Sequence, residues 1–458
     1  LQRVQDPTNL TANHTLPVSL RLDPAGNPLP AVVLANNPAL NLRGVGGADA
    51  TNTVGFQFSK VSNIKGYSEV WEGFGEVLLP LIDIGGFSAV ANGAVRFADY
   101  SQSGGIWAYK GGLELGFLGD QLRLRGTYSR DVRAGNLSER FDVTGGAGSV
   151  VTPAVPNAPA GGAVTIFSGG NPAVQPEKAD TFTVGGVFRP DFIPGLSLSL
   201  DYYDIRIRDA ISRVGTQGVV DRCFVSQAQE FCDLITLSTG PATPTSTGGT
   251  ILIVGDIFVN VAESRVRGLD FEASYVTDVK LFGGDESIAL RGFAAWLLER
   301  SDTDSSGFKQ DLAGQTGARQ TDATYFTYAD FRANAALSYR NGGFSALLQG
   351  RYIGTGLQDA CAQAGRCQSA ADPTAANPLR YVAENRVDDV LYLDLRLGYR
   401  LEHAGRTFEI FGTVSNLTDA APPLTPSFTS FFGWSTQHNQ SVYDVLGRRY
   451  TVGVKIKM

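Results

Sequence analysis

The sequence predicts an all-β chain: a transmembrane, antiparallel, up-and-down β-barrel, of which about 13 strands are present. Three observations carry that expectation. Apolar residues recur at period two in segment after segment, the connections alternate short and long, and small residues are frequent on the apolar rows. "DVLYLDLRLGYRL", Asp389 to Leu401, shows the first most clearly. Leu391, Leu393, Leu395, Leu397, Tyr399 and Leu401 share one parity, and Tyr392, Asp394, Arg396 and Arg400 share the other. Successive side chains of a strand point to opposite faces, so this is a strand with one oily and one wet face. In a soluble sandwich the leucines would lie inside; in a membrane barrel they face lipid and the charges line the interior.

The same alternation follows along the chain. Segments beginning at Tyr67, Phe87, Ile106 and Gln121 come first, followed by segments from Ala179, Leu196, Ser264, Ser287, Tyr328 and Phe344. Asp389 to Leu401 and segments from Arg406 and Arg448 close the set. No amphipathic helix stands out. Between the segments, "LIDIGG", "LGD", "PDFIPG", "TDVKLFGGDE", "NGG" and "EHAG" are tight turns of Gly, Pro, Asn and Asp. They alternate with long polar stretches over 132–178, 211–263, 301–327, 355–388 and 418–447, with the brief "SQSGG" as the exception. In an up-and-down sheet every second connection lies at one end, so the turns fall on one rim and the long loops on the other. Outer-membrane barrels have this asymmetry. Small residues on the oily rows suit lipid better than a densely packed core, and Tyr67, Trp107, Trp296, Tyr339 and Tyr399 suit interfacial girdles.

Composition agrees. The 458 residues carry a net charge of −7, with 54 glycines and 18% charged residues. No run of about 18 apolar residues offers a membrane helix, but spanning strands need only about ten alternating residues. No basic–aromatic patch suggests a nucleic-acid partner. The single Met is Met458 and the chain opens at Leu1 without a signal-like apolar core, so a processed or truncated piece of a longer chain is expected.

Four cysteines form two short-range pairs in polar loops, Cys223 with Cys232 and Cys361 with Cys367. Two local disulfides on an oxidising exterior are one reading; four reduced thiols are the other. Neither pair has zinc spacing, and His14, His403 and His438 are scattered, so no metal or cofactor is expected. "SDTDSSG" from Ser301 lacks the terminal acid of a calcium loop. With His403 in a tight turn and the other histidines in loops, no catalytic constellation forms, and an enzyme is not expected.

Several stretches resemble TonB-dependent receptors of the Gram-negative outer membrane. Gly169 to Ile211 resembles that family's mid-barrel signature, and "LRLRGTYSRDVRAGNLSERF" fits as well. "VAESRVRGLDFEASY" resembles the next strand's entry, and "GTVSNLTDAAPP" and "YDVLGRRYTVGVKIKM" its last two strands. The resemblance implies a 22-stranded barrel around an N-terminal plug, with TonB pulling on a box ahead of the plug. The strands here would be the tenth through twenty-second, with 1–66 the remainder of a long extracellular loop and 67–458 the C-terminal strands. Met458 stands where the family usually has an aromatic. An odd count leaves unpaired edges, each orphan backbone group costing several kcal/mol in hydrocarbon. An N-terminal fragment of the same receptor, with the plug and about nine strands, is therefore the expected partner, beside TonB, outer-membrane lipid and lipopolysaccharide.

The inward charges are Glu72, Glu76, Arg96, Lys110, Glu114, Arg123, Arg125, Asp270, Glu272, Arg291, Asp330, Arg332, Asp394 and Arg396. Either they face a plug or they are solvated residues of a pore. Phe431, Phe432 and Trp434 in the last long loop either stack on an incoming ligand or anchor at the lipid rim. Two functions follow. One is energy-coupled import of a scarce nutrient too large for porins (siderophore, oligosaccharide, cobalamin or peptide). The other is a passive porin or a structural or adhesive barrel.

Overall fold

The computed structural model describes residues 66–457 apart from 102, 143–146, 152, 154, 156, 304–306, 308, 319–325, 361–383, 404–405 and 427–436. One antiparallel sheet dominates, its path running through thirteen strands in chain order. The first six are β1 (Val70–Ile84), β2 (Phe87–Tyr100), β3 (Gly104–Phe117), β4 (Leu122–Arg133), β5 (Glu177–Phe188) and β6 (Leu196–Ser212). Then come β7 (Val259–Val279), β8 (Glu286–Thr303), β9 (Phe331–Asn341), β10 (Phe344–Ile353), β11 (Val390–His403), β12 (Arg406–Ser415) and β13 (Arg449–Lys457). Each of the thirteen alternating segments read from the sequence is one of these strands. A short strand, Lys309–Asp311, pairs with β8 off the path. Among the described residues β1 pairs only with β2 and β13 only with β12, so the sheet is open at both edges.

The rims sort as expected. Gly85 and Gly86 turn β1 into β2 with φ of 62° and 84°, the doubly positive geometry of a type I′ hairpin that only residues without Cβ adopt at no steric cost. That turn shares a rim with 118–121, 189–195, 280–285 and 342–343. The long connections share the other.

Faces follow from register. Trp71↔Asp99, Glu72↔Ala98 and Phe74↔Arg96 set β1 on β2, and the pairing continues without a break to β13. Leu391, Leu397 and Leu401 stand 45–49% exposed. Burial of apolar surface is the main force holding a water-soluble fold together, so strand leucines left half exposed require an apolar surrounding. The opposite face is the concave one. Arg291, Arg340, Arg396, Arg400 and Glu409 there line a cavity of about 680 Å³. Two aromatic rows bound the oily face. Trp107 and Trp296 lie toward the loop rim, Tyr339 and Tyr399 toward the turn rim. Trp296 is eight residues beyond Ile288, the register partner of Tyr339. That is about 27 Å along the strand, or about 21 Å along the normal at a tilt of about 40°, close to the ~25 Å apolar band of outer-membrane barrels.

The long loops are not merely polar tethers. Connections β4–β5 and β6–β7 together build a five-stranded sheet from Ala147–Val151, Gly162–Gly169, Ile235–Leu237, Gly240–Pro241 and Ile251–Ile257. Helices α2 (Thr216–Phe224) and α3 (Gln229–Cys232) pack on it, following α1 (Leu137–Phe141) in the preceding loop. Val151, Val164, Val219, Val220, Phe231, Ile235, Ile251 and Val254 form its core. Cys223 and Cys232, both fully buried, are joined by a disulfide within it. Cys361 and Cys367 lie outside the described residues.

Candidate functional site: the concave wall and its mouth

The strand charges read as inward share one face by register; Asp330 lies just ahead of β9, outside the register pairs. The register connects them across the sheet: Arg125 sits opposite Gly185, which sits opposite Asp201, which sits opposite Asp270. Ser274 faces Arg291, and Ala295 faces Arg332. On the last strands, Gln349 faces Asp394 and Leu347 faces Arg396.

Many of these groups are already paired within the wall. Arg96 pairs with Glu72, and Arg123 with Glu114 at 3.0 Å. Arg125 donates from Nε and Nη2 to both carboxylate oxygens of Asp201, at 3.0 and 2.9 Å. Asp394 accepts from Arg351 Nε at 3.2 Å and from the Asn416 backbone N–H at 2.8 Å. Arg396 donates to Glu409 at 2.9 Å and stacks over the Phe411 ring. Arg332 donates to the Thr327 carbonyl, and the Asp330 carbonyl accepts from Leu297 N–H. These pairs are half exposed, so each contributes little to stability; their effect is to hold the charged wall in one arrangement. Glu76 and Lys110 share that face as the two register partners of Ala94, and Glu272 as the partner of Phe293.

The sequence reading missed Asp201, Arg351, Glu409 and Asp444, although parity along "LSLSLDYYD" and "FSALLQGRYIG" marks the first two. Asp444 is 8% exposed and accepts from Arg449 Nη1 and Nη2 at 2.8 and 3.0 Å. That hydrogen bonding, with Coulombic support from Arg449 and Arg351, holds its carboxyl below the usual range. In the loop before β5, burial pushes the Glu139 carboxyl up, but Arg133 and the Asn136 N–H outweigh it and bring it below the ordinary value. The same carboxylate completes a capping box on α1.

At the mouth, the loops after β8 and β12 are stitched together. Asn439, fully buried, donates Nδ2 to the carbonyls of Thr316 and Phe326, both at 2.8 Å. Its N–H donates to Thr425 Oγ1 at 2.7 Å, and the Tyr443 hydroxyl donates to Thr316 Oγ1 at 2.9 Å. His438 Nδ1 lies 2.9 Å from the Pro423 carbonyl. Phe431, Phe432 and Trp434 lie outside the described residues, as does Met458. Among the described residues no group of three or more His, Cys, Asp or Glu side chains is placed to hold a metal ion.

An open antiparallel sheet with an exposed aliphatic convex face, a charged concave face and sorted rims defines a segment of a membrane β-barrel wall. The family model described as TonB dependent receptor-like, beta-barrel matches residues 6–417, and the chain belongs to that family. Solved structures agree on the fold. The siderophore receptor PirA of Acinetobacter baumannii is similar at 16% identity and a TM-score of 0.50, over 84% of this chain and 45% of that one. A mutant ferric enterobactin receptor PfeA of Pseudomonas aeruginosa is similar at 14% identity and 0.52, over 85% and 45%. A second PfeA mutant, in complex with enterobactin, gives 14%, 0.51, 85% and 46%. The chain thus spans about half the length of these structures. No curated protein matches it.

Proposed function

We propose that this chain is the C-terminal wall of a TonB-dependent outer-membrane transporter of a Gram-negative bacterium, importing a scarce nutrient too large for porins. The nutrient class is a siderophore, oligosaccharide, cobalamin or peptide. The observation that carries this reading, given the family, is the concave face: one continuous field of fixed charges across thirteen strands, opposite a face of exposed aliphatic rows. A plug seated there would meet Glu72, Arg96, Arg123, Arg125, Asp270, Glu272, Arg291, Asp330, Arg332, Asp394 and Arg396. The surplus of arginine around the 680 Å³ cavity suits acidic plug residues. The ligand would enter past the loops that carry Phe431, Phe432 and Trp434. Residues 1–66 belong to an extracellular loop and 67–458 to the barrel.

The open edges of β1 and β13 support a second element of this reading. Unpaired backbone groups cost several kcal/mol each in hydrocarbon, so further strands, about nine with the plug, complete the barrel. They belong to an N-terminal fragment of the same receptor, through which TonB acts. Nutrient uptake by cells carrying the protein is expected to require TonB, and mass analysis of the denatured, membrane-extracted complex to give a partner species. Ion conductance without TonB, or a single species of this chain alone, supports a passive porin or adhesive barrel instead.

A further inference from the structure

The inward charges are not balanced evenly around the wall. Nearer β1 the arginines have carboxylates: Arg96 pairs with Glu72, Arg123 with Glu114 and Arg125 with Asp201. Across β8 to β11 the balance fails. Four arginines and one carboxylate line the cavity of about 680 Å³ there, and Gly342 and Gly343 carry it to the turn rim. The carboxylate, Glu409, is taken by Arg396 at 2.9 Å, and that guanidinium also lies over the Phe411 ring. Arg291, Arg340 and Arg400 are exposed, and no described carboxylate pairs with any of them. Four guanidinium groups against one carboxylate leave three positive charges in one cavity.

Register sets these three around one space. Arg340 has Ser287 and Ser345 as its partners on either side, both in the cavity lining, so a hydroxyl flanks it on each neighbouring strand. Arg291 stands four residues along β8 from Ser287, about 13 Å up the strand. Arg400 donates its backbone N–H to the Gly343 carbonyl at 2.8 Å, which sets it beside the β9–β10 turn. Long side chains from β8, β9 and β11 thus line a space in the range of small-molecule sites, about 300–1,000 Å³. A concave site of one sign with low-dielectric walls concentrates ions of the other. Guanidinium forks match the paired oxygens of carboxylates and phosphates. The guest that fits is an oxyanion carrying more than one charge.

We propose that this cavity is an exit-side binding site for the imported nutrient, which therefore carries several carboxylate or phosphate groups. The inference rests on the importer reading, in which cargo leaves at the turn rim. Acidic plug side chains are the competing occupant. The wall balances its own arginines nearer β1, and the excess is confined to one cavity of solute size, which favours a solute. To test it, the complex extracted from its native membrane in neutral detergent is titrated calorimetrically with citrate and, separately, with inorganic pyrophosphate; trehalose is the uncharged control. Binding of at least one anion, weakened by added salt, is expected, with no binding of trehalose. The tighter of the two arms tells carboxylate from phosphate cargo. Arg291→Gln/Arg340→Gln/Arg400→Gln should weaken that binding by roughly tenfold or more, and Lys280→Gln, on the turn rim outside the cavity, should leave it. If the triple variant does not assemble, Arg340→Gln alone should weaken binding severalfold. An unchanged triple variant overturns the proposal, as does a parent complex that binds neither anion because plug carboxylates hold the three arginines. Anion binding that persists while uptake proves independent of TonB keeps the site and overturns the importer reading instead.

Discussion

Leu200 offers the sharpest test of which face meets lipid. It lies on the convex face of β6, 52% exposed, with Gly186 and Phe271 as register partners on either side. Four residues separate it from the start of the strand at Leu196, a rise of about 13 Å along the strand and about 10 Å along the normal. That places it near the middle of the ~25 Å apolar band. An arginine at the midplane of a lipid-facing strand costs about 2–4 kcal/mol. Leu200→Arg should therefore lower the folded-to-unfolded ratio roughly 30- to 700-fold. Its neighbour Ser199 points the other way and faces Glu272 across β7. Ser199→Arg adds the same charge beside a carboxylate and should stay within about 0.5 kcal/mol of the parent. The assay is urea titration of the protein reconstituted in vesicles, with the folded fraction read from its heat-modifiable gel mobility. A neutral Leu200→Arg, or a Ser199→Arg that is the costlier of the two, would refute the assignment of faces.

Three further outcomes follow. Cys223→Ser opens a cross-link of sequence separation 9, which chain entropy values at about 2.5–3 kcal/mol; the loss should appear as protease sensitivity within 213–258 while the barrel strands stay protected. The Asp444 carboxyl is depressed by Arg449, so its contribution is present above the ordinary Asp value of about 3.9 and fades as pH falls through the lower folded value. Amide exchange over 437–448 should therefore rise on acidification below about pH 4, and Asp444→Asn should show that faster exchange already at pH 7. Asn439→Ala leaves the Thr316 and Phe326 carbonyls without their donor, at about 1–3 kcal/mol, and should loosen the loops after β8 and β12 together by the same exchange measurement.

Strand existence and face were legible because period two is a local property: each alternating segment carries its own record of inside and outside. Thirteen segments, the sorting of turns and loops, and the sharing of one face by Glu72 through Arg396 all follow from it. The loop sheet was not legible. Its strands are short, Ile235–Leu237 has three residues, and Ile251–Ile257 pairs in parallel with Gly162–Gly169. Nothing local in "GGAVTIFSGG" points to a partner some ninety residues away. The ion partners Asp201 and Glu409 were legible by parity, but only register decides which arginine each one meets. Helix α2 hid for another reason: all nine of its residues are buried, so its sequence shows no wet face.

Along β6 the outward row runs Leu198, Leu200, Tyr202 and then Asp204, Arg206, Arg208, while Ile205 and Ile207 take the concave side; this parity flip at Tyr202–Tyr203 turns a reading of faces into a reading of height. Below it the environment outside is less polar than the environment inside, and aliphatics go out. Above it the order is reversed, as in any water-exposed wall. Ile205, Ile207 and Val266 then face the concave side near the loop rim. A strand that changed phase through a bulge would show the same sequence, but β6 keeps its register with both neighbours from Leu198 to Arg208. The backbone continues unbroken, so it is the surroundings that change. The outward aromatics Tyr128, Phe182 and Tyr202 mark that change on three adjacent strands with no register shift between them, and a solvent boundary at one height is the cause common to all three.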